Sequence, residues 1–151
     1  MKVKDLMSRN IFTADINTPL KDIAEKLLAN NINCVIVSSS SKDVAGIITS
    51  SDLFRFLFPD YNEIREHGEY LFDPLSIEQR VYERENMPAE SLMTKFPEII
   101  NEDSSVIQAA AIMKSFKIKQ LPVIGNGKLI GIITIKNILR SFVYKMRLLN
   151  Y

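Results

Sequence analysis

The chain matches itself. Displaced by 86 positions, Leu6-Met7 falls on Leu92-Met93, Thr18 on Ser104, Leu20 on Val106, Ala24 on Ala110, Leu27 on Met113, Ile32 on Ile118 and Val37 on Val123. After one extra loop residue in the first copy the displacement becomes 85. The run GIIT at Gly46–Thr49 then meets an identical GIIT at Gly131–Thr134, and Arg55 meets Arg140. A duplication of this kind limits the fold to two equivalent units. At 151 residues there is no room for two independent enzyme-sized domains.

Each copy runs through the same elements. Thr18 and Pro19 predict a helix start, with Thr18 as N-cap and Pro19 at the first helical position. Leu20, Ile23, Ala24, Leu27 and Leu28 recur at helical spacing until Asn30-Asn31. The matching helix spans Val106 to about Phe116 and is expected to be capped by Ser104. Two short runs rich in β-branched residues follow, Cys34–Val37 and Val44–Thr49, separated by polar SSSSKD. Their counterparts, Gln120–Ile124 and Leu129–Thr134, flank Gly125-Asn126-Gly127, whose Asn-Gly pair signals a tight hairpin. A second helix closes each copy, carrying Leu53, Phe54, Leu57 and Phe58 in one and Ile138, Leu139, Phe142 and Val143 in the other.

The expected organisation is a first repeat over 1–58, a connector over 59–88, a second repeat over 89–145 and a tail over 146–151. The connector carries eight acidic and three basic residues, a balance of −5, and is too long for a bare loop. Helical pieces are expected at Tyr61–Glu69 and Ile77–Glu85. From Ser104 onward the balance reverses, with eight basic residues and no acidic ones. That stretch reads as a solvated basic surface facing the acidic connector, or as a site that attracts phosphate.

A formal charge of +1 supplies no global field for nucleic acid or anionic lipid. The single cysteine, Cys34, and single histidine, His67, make neither an internal disulfide nor an ordinary zinc site, and a reducing cytoplasm is the expected setting. No apolar run approaches the ~20 residues that span a bilayer, so the chain is expected to be soluble. Cys34 occupies a strand position that suits a small buried hydrophobe, and His67 stands alone in the polar connector. Met7, Met93 and Met113 recur at apolar repeat positions and read as core, while Phe54, Phe56 and Phe58 read as helix packing or a dimer face. No Walker loop, Rossmann glycine triplet or catalytic-triad spacing is present, and no metal site or enzymatic activity is expected.

The leaders VKDLM and ESLM, the helix starts TPL and SSV, the strand KQLPVI and the run G-I-I-T-x-x-D together resemble the cystathionine-beta-synthase (CBS) domain family, whose repeats pair into a Bateman module. The resemblance covers Val3 to about Phe58 and Ala89 to about Lys145. It implies an α+β fold of tandem strand-helix-strand-strand-helix repeats related by a pseudo-two-fold. It also implies that T-x-x-D binds the phosphate and ribose of an adenine nucleotide in a cleft between repeats. An aspartate can accept hydrogen bonds from both ribose hydroxyls, and a threonine at a helix start adds a hydroxyl beside free N–H groups.

The first copy matches in full at Thr49-Ser50-Ser51-Asp52, and the second reads Thr134-Ile135-Lys136-Asn137, with an amide for the carboxylate. Carried over by resemblance, Thr49 and Asp52 share a ligand with Glu98, Ile99, Ile118, Gln120, Leu121 and Pro122. Apolar side chains there would sandwich a base, and the backbone at Gln120–Pro122 would read its edge. A second site would join Thr134 and Asn137 to Thr13, Ile32, Cys34 and Val35. Ile36 stands where the second copy has Pro122. Lys119, Lys136 and Arg140 are phosphate candidates, although each alone reads as surface charge. On spacing alone Thr49-x-x-Asp52 is also a helix capping box.

The implied function is a non-catalytic sensor that binds AMP, ADP, ATP or a related adenosyl compound, forms a homodimer and signals to an effector protein. The alternatives are a ligand-free dimerisation scaffold and a nucleic-acid-binding module that uses the basic second repeat.

Overall fold

The computed structural model describes residues 1–39, 43–68 and 73–148. Half of the SSSSKD stretch (40–42), Glu69 of the first expected connector helix and the last three residues of the expected tail lie outside the described residues. The architecture is mixed α+β with two small sheets, as expected. Two compact units form. One comprises Met1–Ile11, Lys42–Val44 and Pro97–Tyr151, and the other Phe12–Ser41 and Ala45–Phe96.

The second of these units holds β1 (Thr13–Asp15), α1 (Leu20–Ala29), β2 (Cys34–Ser38), β3 (Gly46–Thr49), α2 (Ser50–Leu57) and a short β4 (Thr94–Lys95). Its sheet order is β1-β2-β3-β4, with β1 parallel to β2 and the other neighbours antiparallel. The sheet and α1 enclose Leu20, Ile23, Leu27, Val35, Val37, Ile48 and Leu53, all buried. The other unit repeats the plan with β5 (Ile100–Asn101), α5 (Val106–Phe116), β6 (Gln120–Gly125), β7 (Lys128–Thr134) and α6 (Ile135–Leu148), around Val106, Ala109, Met113, Leu121, Val123, Ile133 and Ile138. Asn126 and Gly127 both take positive φ, 49° and 73°, the mirror-image turn that matches strand twist and favours Asn-Gly.

Each leader packs with the other repeat. Val3 donates its N–H to the Ser104 carbonyl at 2.9 Å and Lys4 donates to Glu102 at 3.0 Å. Eighty-six positions on, Ala89 donates to Thr18 at 2.8 Å and Glu90 to Ile16 at 3.0 Å. Val3 and Ala89 are each fully buried there. The glycine of each GIIT run lies under the crossing leader. A β-carbon at Gly46 would stand 2.9 Å from the Thr94 carbonyl, and one at Gly131 2.9 Å from the Ser8 carbonyl. Lys2 and Lys4 both reach Asp103 at 2.9 Å, and these hydrogen-bonded ammonium groups hold its carboxyl at about 2.

Several expected boundaries move. The α1 N-cap is Pro19, not Thr18, whose hydroxyl instead accepts from the Asp15 N–H; the Met87 carbonyl takes the Leu20 N–H. Ser105, not Ser104, caps α5 by accepting from the Gln108 N–H, because the Ser104 carbonyl is committed to the leader. The third strand starts at Gly46, two residues after Val44. The connector forms α3 (Tyr61–His67) and α4 (Pro74–Arg84), capped by Asp60 and Asp73. Arg84 ties α4 to α2, donating to the Phe56 carbonyl with its guanidinium 4.5 Å from the Phe56 ring centre.

Candidate ligand-binding motifs

The capping-box geometry is present at Thr49. Thr49 Oγ1 accepts from the Asp52 N–H at 3.2 Å, and Asp52 Oδ2 accepts the Thr49 N–H at 2.7 Å and its hydroxyl at 2.8 Å. That second oxygen is therefore turned into the helix start. Oδ1 faces outward and takes the Arg55 guanidinium at 2.7 Å. The Asp52 side chain is 14% exposed and that of Arg55 73%. An exposed arginine of this kind is weakly held, which leaves Oδ1 an acceptor available to a hydroxyl.

The second motif folds the same way and presents the opposite polarity. Asn137 Oδ1 accepts the Thr134 N–H at 2.9 Å and its hydroxyl at 2.7 Å, while Thr134 Oγ1 accepts the Asn137 N–H. Only oxygen can accept from a backbone N–H, so the amide orientation is fixed by chemistry. The outward atom is Nδ2, a donor. Asp52 can accept from a ribose diol; Asn137 offers that diol no acceptor.

Within a unit the sheet sets the start of the hairpin beside each threonine. Cys34 is the register partner of Thr49, and Gln120 of Thr134. Thr13 pairs with Ile36, one strand further across. Thr49, Asp52, Thr13, Ile32, Cys34 and Val35 thus belong to one unit, and Glu98, Ile99, Ile118, Gln120, Leu121, Pro122, Thr134 and Asn137 to the other. Lys119, Lys136 and Arg140 are exposed in that second group, and the Lys119 carbonyl accepts the Ile135 N–H that starts α6.

Burial narrows the expected base sandwich. Leu121 and Pro122 are fully buried in the core, and so is Val35, so none of these side chains can stack on a base. Their backbone remains as an edge-reading element. Ile118 is half-buried against the core and Ile99 is 48% exposed, and these two can supply apolar contact. Burial also pushes the Cys34 thiol up to about 11, as suits its small-hydrophobe position.

Pro122 has a consequence that spacing did not reveal. In the first copy, Ile36 donates its N–H to the Phe12 carbonyl at 3.0 Å and β1 begins at Thr13. Pro122, at the equivalent position, has no N–H to give. The matching carbonyl is that of Glu98, and β5 begins at Ile100, one rung later than its counterpart. One missing donor thus leaves Glu98 and Ile99 out of the ladder, with Ile99 exposed beside buried Ile100. Among the described residues no cluster of three metal-ligating side chains occurs, and no helix is long and apolar enough to cross a membrane.

Comparison with known proteins agrees with this architecture. The CBS domain family profile matches residues 3–59 and 89–144. A CBS domain-containing protein of Dictyostelium discoideum is 31% identical over 138 residues, covering 91% of this chain and 88% of that protein. The CBS domain pair of protein MJ0100, solved in complex with 5'-methylthioadenosine and S-adenosyl-L-methionine, superposes with a TM-score of 0.71. It is 25% identical and covers 96% of this chain and 98% of that one. The CBS domain of a CBS domain-containing membrane protein from Sphaerobacter thermophilus gives a TM-score of 0.72 at 26% identity, covering 93% and 86%. With its two repeats, exchanged leaders and paired threonine motifs, the chain belongs to the CBS domain family.

Proposed function

We propose that this CBS pair is a non-catalytic regulatory module that binds an adenine nucleotide or a related adenosyl compound and signals to a partner protein. The observation that carries the reading is the Thr49–Asp52 motif. Its capping box holds the carboxylate rigidly while leaving Oδ1 directed outward as an acceptor. An adenosine ribose presents two adjacent hydroxyl donors, the complement of that oxygen. The ligands of the MJ0100 pair, both adenosyl compounds, support the same class.

The residues assigned to the ligand are Thr49 and Asp52, with Glu98, Ile99, Ile118, Gln120, Leu121 and Pro122, which the family resemblance pairs with them. Leu121 and Pro122 serve through backbone. The second motif, Thr134 and Asn137 with Thr13, Ile32, Cys34 and Val35, is the weaker partner because its outward atom is a donor. Signalling follows from differential affinity: a ligand shifts only an equilibrium whose two states it binds unequally. The chain acts in the cytoplasm as a dimer.

Isothermal titration with AMP, ATP, S-adenosylmethionine and 5'-methylthioadenosine tests the reading. Saturable binding of at least one, lost in Asp52→Asn, is expected. Absence of binding to all four favours the scaffold alternative. Binding to nucleic acid that falls steeply with salt would favour the third reading.

A further inference from the structure

The outward oxygen of the first motif is already covered, by a side chain that the helix start does not need. Asp52 is fixed in place: its Oδ2 accepts the Thr49 N–H and hydroxyl, and its own N–H is held by Thr49 Oγ1. Arg55 is fixed by nothing comparable. Its Nη2 donates to Oδ1 at 2.7 Å, and among the described residues its side chain makes no other hydrogen bond or ion pair. Because Oδ2 is committed to the cap, the pair lacks the two parallel bonds that make an arginine–carboxylate contact strong. A guanidinium carries five N–H donors, so most of those of Arg55 are unspent, and the side chain is 73% exposed. Of the two partners, the arginine is the one that can move.

The second copy has the same arginine without the carboxylate. Arg140 matches Arg55 and follows Asn137 by three residues, but the outward Nδ2 of Asn137 is a donor and cannot bind a guanidinium. α6 contains no acidic residue, and among the described residues Arg140 makes no ion pair. The position is arginine with or without a carboxylate one turn before it, which sets its use apart from pairing within the helix.

We propose that Arg55 is an exchangeable cover. It occupies Oδ1 when the motif is empty and transfers to the anionic group of a ligand when a ribose hydroxyl takes that oxygen, so the motif selects phosphorylated adenosyl compounds over uncharged ones. This selection rests on the adenosyl reading and adds to it the charge class of the ligand. A phosphate brought beside the Asp52 carboxylate is repelled by it unless a cation lies between them. Arg55 starts about 4.5 Å of helical rise beyond Asp52 and stays within reach of both. Its planar fork matches a phosphate with two bonds, where the half-committed carboxylate accepts one.

Calorimetric titration of wild type, Arg55→Gln and Arg55→Lys with AMP and with 5'-methylthioadenosine tests this, because the two compounds differ only in carrying a phosphate or a methylthio group at the 5' position. Arg55→Gln should bind AMP about 10- to 100-fold more weakly. It should bind 5'-methylthioadenosine as well as wild type does, or up to about 5-fold more tightly, since Oδ1 is no longer covered. Arg55→Lys keeps the charge without the fork and should fall between. Thermal unfolding verifies the fold of each variant, and a role in helix stability alone would move both affinities together. An AMP affinity in Arg55→Gln within twofold of wild type, or a loss shared equally by 5'-methylthioadenosine, would overturn the exchange and leave the adenosyl reading standing. A wild type that prefers 5'-methylthioadenosine to AMP would do the same. A wild type that binds neither would overturn both.

Discussion

Asp52→Asn separates ligand binding from folding because the molecule already contains the variant's geometry. At Asn137 an amide oxygen accepts the Thr134 N–H at 2.9 Å and its hydroxyl at 2.7 Å, against 2.7 and 2.8 Å for Asp52. Asparagine at 52 therefore keeps the capping box. What it loses in the free protein is the ion pair with Arg55, an exposed partner, worth about 0–1 kcal/mol. For a chain of this size that is a fall of at most about 4 °C in melting temperature. Asp52→Ala would instead keep the Thr49 cap but remove the reciprocal half of the box, leaving the Thr49 N–H and hydroxyl without the carboxylate at about 0.5–1.5 kcal/mol each, and blur the two effects.

For a ligand the loss is larger. The outward Oδ1 becomes Nδ2, and a charge-assisted acceptor worth about 1.5–3 kcal/mol gives way to a neutral donor that can reach only a hydroxyl oxygen. Affinity for AMP or S-adenosylmethionine should fall about 10- to 100-fold. The assay is calorimetric titration paired with thermal unfolding, with and without ligand. Affinity within twofold of wild type would refute the reasoning about Oδ1. A melting temperature lowered by 10 °C or more would refute the claim that an amide preserves the cap.

Asn137→Asp makes the converse change and should raise the stoichiometry from one adenosyl ligand per chain to two; titration that stays at one would locate the block elsewhere in the second motif. Arg84→Ala removes both the hydrogen bond to the Phe56 carbonyl and the contact with its ring. It should cost about 1–3 kcal/mol locally, seen as faster amide exchange across 74–84 with the sheets unaffected. With its pKa raised from 9.0 to about 11, Cys34 holds about 100-fold less thiolate at pH 8 than an ordinary thiol. Reaction with a disulfide reagent should slow in proportion and recover fully in denaturant. The unfolded thiol ionises first, so stability should decline as pH rises from about 9 towards 11.

Apolar periodicity located all four helices of the repeats because it reports which face is buried, and burial is local to an element. Helix caps were legible only to within a residue. Thr18 and Ser104 have the right chemistry, but the partners that displace them, the Met87 carbonyl and the leader amides, come from distant sequence. The exchange of leaders was illegible for a deeper reason. Val3 and Ala89 occupy equivalent positions and make equivalent bonds, so either leader satisfies either repeat, and no composition or pattern tells them apart.

The same distinction explains the motifs. Thr49-x-x-Asp52 reads from sequence as a cap or as a ligand group, and in the structure one carboxylate oxygen serves the cap while the other takes an exposed arginine. An amide also has two atoms, but they are not interchangeable. The cap claims the oxygen, so the amide at 137 preserves the helix start and, on the proposed reading, leaves a ligand only the nitrogen. A stabilising contact and a binding contact on one side chain thus impose different demands, and the amide of the second repeat meets the first of them. The proline at 122 acts in the reverse sense, since removing one donor from the ladder costs the sheet a rung and frees Glu98 and Ile99. The first repeat keeps the acceptor and lacks the proline; the second has the proline and lacks the acceptor.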